Sequence, residues 1–73
     1  MALAENIKAK RLAKGMTQEE LSGMVGVTKM SISRYEQGVT VPELYIALDI
    51  AKALGTTVEK LVNENFLPEE TNK

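Results

Sequence analysis

An all-α fold of five short helices is predicted for this chain by three features of its sequence. Apolar residues recur at helical spacing along its length, with no convincing strand alternation. Gly15, Gly26, Gly38, Pro42 and Gly55 cut it into short pieces. Thr17, Thr28 and Thr57, whose hydroxyls favour helix starts, follow closely on three of those breaks.

The first helix is expected over about Ala2–Lys14, with Gly15 as the residue that ends it. Thr17 opens the second, and Glu20 three residues later completes a capping box. This helix turns Leu21 and Val25 inward and ends near Gly26. Gly23 within it costs about 1 kcal/mol relative to alanine. Thr28 caps the third helix, Lys29–Gln37, which Gly38 closes. Pro42 suits the first turn of a fourth helix that runs to Leu54 and ends at Gly55. Thr57 caps a last helix carrying Val58, Leu61 and Val62.

Composition bounds the function. Seventy-three residues make one domain, expected over 1–63, with a polar tail at 64–73 that contains Phe66 and Leu67. Cysteine and histidine are both absent, which removes disulfides, thiolate metal sites and the usual general base. No metal or cofactor is expected. A serine or threonine nucleophile would need a lysine or carboxylate base, and no spacing offers one, so an enzyme is not predicted. Without a leader-like start or an apolar run long enough for a bilayer, the chain reads as soluble and cytoplasmic. The formal net charge of −1 is unevenly spread. Residues 1–41 carry six bases against four acids, and residues 42–73 three against six. That split suits a front half facing a polyanion and a back half facing water or a partner.

Only Gly26 and Val27 separate the second helix from the cap of the third. So tight a turn makes the two helices cross steeply, the helix-turn-helix arrangement, here spanning about 17–37. The same spacing also describes an ordinary helical hairpin in a small bundle.

The third helix has two faces. Ile32, Tyr35, Glu36 and Val39 follow i, i+3, i+4, i+7 and are expected to point inward. Glu36 then needs a partner. Arg11 supplies one, because Leu3, Ile7 and Arg11 lie on one line of the first helix at i, i+4, i+8. An Arg11–Glu36 ion pair, partly buried and structural in role, is predicted. The other face carries Lys29, Met30, Ser33 and Gln37, with Arg34 four residues after Met30. On a helix lying in the major groove, Lys29 can donate to guanine or to phosphate and Met30 can pack on a thymine methyl. Ser33 and Arg34, with Ser31 beside them, reach bases or backbone. A solvated helix face explains the same row without DNA. Gln18, at the start of the second helix, sits where its amide and free backbone N–H groups can hold a phosphate; a polar surface residue is equally consistent with that position.

Gly15-Met16-Thr17-Gln18-Glu19-Glu20-Leu21, Gly26-Val27-Thr28, Ile32-Ser33-Arg34-Tyr35-Glu36-Gln37-Gly38, Pro42 and Ile50-Ala51-Lys52-Ala53-Leu54-Gly55 together resemble the Cro/C1-type (XRE) helix-turn-helix family. The likeness spans residues 7 to about 62. It implies a phage-repressor-like domain, from bacteria or their phages, that binds a palindromic operator in double-stranded DNA as a homodimer. By the resemblance, Gln18 matches a phosphate-contacting glutamine, and Lys29, Met30 and Ser33 or Arg34 match base-reading positions. Arg11 and Glu36 match a common salt bridge. The turn after Gly38 matches a phosphate-facing segment. With Thr17, Thr28, Ser31, Gln37 and Thr40, Gln18 makes up the set of backbone candidates.

This chain departs from its likeness at several positions. Val39 and Thr40 stand where many relatives carry Lys or Arg, which lowers the expected salt dependence. Lys10 replaces a usual apolar residue, and Tyr45 and Ile46 replace polar ones. Tyr45 and Ile46, with Val58, Leu61, Val62, Phe66 and Leu67, are the expected dimer contacts. The resulting expectation is a transcriptional repressor. The alternative is a protein-binding module of related fold, such as an antitoxin, which the missing bases and acidic back half favour.

Overall fold

The computed structural model describes residues 2–63. Five helices make up its regular structure: α1 (Ala2–Ala13), α2 (Gln18–Val25), α3 (Lys29–Gln37), α4 (Leu44–Ala53) and α5 (Val58–Asn63). Among the described residues there is no strand.

Local chemistry sets the boundaries. α1 ends at Ala13, one residue short of the expected Lys14, and Gly15 takes a φ of 72° to turn the chain. The capping box at α2 is complete. The Glu20 amide donates to Thr17 Oγ1 at 3.0 Å, and the Thr17 amide donates to Glu20 Oε1 at 2.8 Å. Two of the orphan donors of a helix start are thereby satisfied. Gly26, at φ 86°, closes α2. Thr28 Oγ1 then accepts from the Ser31 amide at 3.1 Å to open α3, which spans the predicted residues.

The fourth helix corrects the sequence reading. Pro42 lies one residue before the N-cap rather than in the first turn, and it is buried. Glu43 is extended, and its carbonyl accepts the first helical bond from Ala47 at 2.9 Å, so the helix proper begins at Leu44. α5 starts as expected, with the Lys60 amide on Thr57 Oγ1 at 3.2 Å.

Leu3, Ile7, Leu21, Val25, Ile32, Ile50, Ala51, Leu54 and Leu61 form one core, flanked by half-buried Met16, Val27, Tyr35, Ile46, Ala53 and Val58. α1 lies against α3 and α5, and α2 against α3 and α4. Asn6, buried in α1, donates its amide to the Leu61 carbonyl at 2.7 Å and ties α1 to the end of α5.

Two expectations fail here. Val39 is not inward but 65% exposed, because Gly38 at φ 75° ends the helix and breaks the i+7 relation. Leu61 is fully buried in the core and has no surface to offer a partner. Ile46 and Val58 also pack largely inward, whereas Tyr45 and Val62 are exposed. Phe66 and Leu67 lie outside the described residues.

Candidate nucleic-acid interface

The tight connection between α2 and α3 works because each of its three residues has a distinct task. Gly26 supplies the left-handed backbone, where a β-carbon costs about 1–2 kcal/mol. Val27 packs on the core, and Thr28 caps the next helix. α3 is thereby anchored along Ile32, Tyr35 and Glu36, and its other side is left open.

On that open side, Lys29, Met30, Arg34 and Gln37 are exposed and Ser31 and Ser33 half-exposed. Met30 is 60% exposed, an apolar side chain held out toward solvent. Gln37 Nε2 donates to Ser33 Oγ at 2.8 Å, one helical turn back. The Thr28 and Ser31 hydroxyls lie 3.0 Å apart at the start of the helix. Thr17, Thr28 and Thr40 are exposed, but the hydroxyls of Thr17 and Thr28 already serve as caps.

Arg11 and Glu36 form the predicted pair. Arg11 Nε donates to Glu36 Oε2 at 2.6 Å and Nη2 to Oε1 at 3.1 Å, a two-point contact between side chains only 7% and 2% exposed. Arg11 Nη1 also donates to the Met16 carbonyl at 2.6 Å, so the same guanidinium fixes the loop before α2. This paired geometry satisfies both charges and gives α3 a fixed distance from α1.

One bond was not visible in the sequence. Gln18 Nε2 donates to Glu36 Oε1 at 3.1 Å, so the start of α2 joins the same network. Gln18 is half-buried, and one of its amide protons is committed inward. The other proton, with the amides of Gln18 and Glu19, remains for an anion. The partners are eighteen residues apart on different helices, so no local spacing announces them. The Gln37–Ser33 bond, by contrast, follows from i, i+4 spacing on one helix.

Among the described residues no cluster of His, Cys, Asp or Glu could hold a metal ion, and no helix is long and apolar enough to cross a membrane.

Residues 7–61 match the family model described as helix-turn-helix. The uncharacterized HTH-type transcriptional regulator YgzD of Bacillus subtilis (strain 168) is 36% identical over 70 residues, covering 96% of this chain and all of that protein. The solution structure of the DNA-binding domain of the P22 c2 repressor superposes with a TM-score of 0.86 at 30% identity, over 99% of this chain and 92% of that one. The crystal structure of the P22 c2 repressor with a synthetic operator gives a TM-score of 0.84 at 31% identity, over 89% of this chain and 98% of that one.

Proposed function

We propose, from the premise that the chain belongs to the Cro/C1-type helix-turn-helix family of transcriptional regulators, that it represses by laying α3 in the major groove of a two-fold symmetric operator. The carrying observation is the two-sided nature of α3. Its inner side is fixed through Ile32 and the Arg11–Glu36 pair, while Lys29, Met30 and Arg34 stand open and Ser33 half-open. A helix held this way can place its N-terminal residues against base edges.

In this reading Lys29, Met30, Ser33 and Arg34 read bases. Gln18 and the amides beside it hold a phosphate, and Thr17, Thr28, Ser31, Gln37 and Thr40 border the backbone. Two copies would present their third helices about 34 Å apart. Exposed Tyr45 and Val62 remain candidates for the contact between copies, joined by Leu44 and Leu48 on α4, which are 66% and 44% exposed. The role involves no catalysis and suits a cytoplasmic protein. The relatives favour a regulator over the toxin-neutralising alternative.

Selection of bound sequences from random duplex DNA tests this. A winning consensus with two-fold symmetry is expected. On that consensus, Lys29→Ala or Arg34→Ala should change the sequence preference, whereas Gln18→Ala should weaken all sites alike. If the three together prove dispensable in a gel-shift series, the docking is wrong.

A further inference from the structure

The open side of α3 consists of two adjoining rows. Lys29, Ser33 and Gln37 follow each other at i, i+4, i+8, and Met30 is followed by Arg34. The Lys29 ammonium and the Arg34 guanidinium only donate hydrogen bonds. Met30 offers an apolar tip. Ser33 Oγ already accepts from Gln37 Nε2 at 2.8 Å, which leaves its hydroxyl proton to donate outward.

The helix has one carboxylate, and it is withdrawn from this side. Glu36 is buried and takes three bonds, from Arg11 Nε, Arg11 Nη2 and Gln18 Nε2. The stretch from Lys29 to Arg34 therefore presents two obligate donors and a thioether, and its only side-chain acceptors are the half-exposed Ser31 and Ser33 hydroxyls, which are already engaged with Thr28 and Gln37.

Resting on the DNA-binding reading above, we propose that α3 selects keto bases, guanine or thymine, along one strand beneath the Lys29–Ser33 row, with a thymine under Met30. In the major groove guanine shows the acceptors O6 and N7, and thymine shows the acceptor O4 beside its C5-methyl. Cytosine N4 is a donor and would meet a donor, and adenine, with the donor N6 beside the acceptor N7, offers Lys29 one acceptor where guanine offers two. Lys29 takes guanine O6 and N7, Met30 covers the thymine methyl, and Ser33 donates to O4 or O6, the acceptors that adenine and cytosine lack. Four helical residues rise about 6 Å, which matches roughly two base-pair steps. Each half-site then contains a short run of G and T on one strand, read as C and A on the other.

The test uses the full chain, first in selection from random duplexes and then on base analogues in the winning site. The expected half-site has a keto-only run of two or three adjacent positions on one strand. Replacing its thymine by deoxyuridine, which deletes only the methyl, should weaken binding roughly 4-fold. That penalty should vanish for Met30→Ala. Ser33→Ala, a change tolerated by a half-exposed helical position, should lower discrimination at its base roughly 2–10-fold. Enriched half-sites in which keto and amino bases alternate along both strands overturn the proposal while leaving DNA binding intact. So does a deoxyuridine penalty that is equal in the wild type and in Met30→Ala. Failure to enrich any sequence overturns the DNA-binding reading and this one with it.

Discussion

Removing Arg11 or Glu36 singly should cost far more than removing both. In the folded chain the Glu36 carboxylate receives the two-point Arg11 contact and the Gln18 amide, at 2% side-chain exposure. Arg11→Met leaves that carboxylate with one neutral donor, and Glu36→Leu leaves the guanidinium with the Met16 carbonyl alone. A buried charge stranded in this way costs about 3–5 kcal/mol. A domain of this length has a total stability of about 4–11 kcal/mol, so each single variant loses a large share of it. The melting temperature should fall by at least about 12 °C. The double variant Arg11→Met/Glu36→Leu replaces a buried ion pair by apolar volume, which is commonly neutral or stabilising. Its Gln18 and Met16 groups are half-exposed and can turn to water. Urea titrations followed by far-ultraviolet circular dichroism measure all four proteins. The singles should drop by about 3–5 kcal/mol and the double by about 1 kcal/mol or less. Singles within about 1 kcal/mol of wild type, or a double that equals the sum of the singles, would refute the reasoning.

The remaining predictions concern glycines, the buried asparagine and a cap. A β-carbon at Gly23 would meet nothing within 4 Å, so Gly23→Ala should raise stability by about 1 kcal/mol in a thermal melt. Gly26→Ala has the same open space but a φ of +86°, and should lower stability by about 1–2 kcal/mol in the same assay. Asn6→Ala leaves the Leu61 carbonyl without its 2.7 Å donor and should cost about 1–3 kcal/mol in urea, with the end of α5 losing hydrogen-exchange protection first. Thr17→Ala removes half of the capping box and should cost about 1 kcal/mol by the same titration.

The helix breaks were legible because glycine and threonine act locally. Gly26 followed by Val27 and Thr28 fixes both ends of the turn whatever the rest of the chain does, and α3 starts and stops at its predicted residues. Pro42 misled because a proline suits both a helix's first turn and the residue before its cap, and only the extended backbone at Glu43 distinguishes them. Val39 misled because a periodicity argument continued past Gly38, where the helix had ended. The Arg11–Glu36 pair could be anticipated because two charged residues stood on two apolar lines, and burial leaves such charges little choice but each other. Gln18 gave no such warning. Its bond to Glu36 depends on how α2 crosses α3, and the exposed side of a helix start looks the same with or without it. Leu61 was misassigned as an interface residue because apolar residues in a short terminal helix look alike until packing sorts inward Leu61 from exposed Val62.

Electrostatics explains why the rigidity of this network matters to the proposed role. The whole chain has a net charge of −1, and one of its two arginines is consumed inside the fold. Val39, 65% exposed beyond the end of α3, and its neighbour Thr40 add no cation to the edge of the face. Each phosphate neutralised contributes about 0.9 to the slope of log affinity against log salt, so a protein with few free cations on its docking face gains little from counterion release. In the proposed docking, affinity would then come from directed contacts by Lys29, Met30, Ser33 and Arg34, which lose their value if α3 tilts. Glu36 serves both needs with one side chain. Turned inward, it locks α3 to α1 and to the start of α2. By the same rotation it removes from the open side the only negative charge that α3 possesses, a charge that in the proposed docking would repel the phosphates flanking the bases.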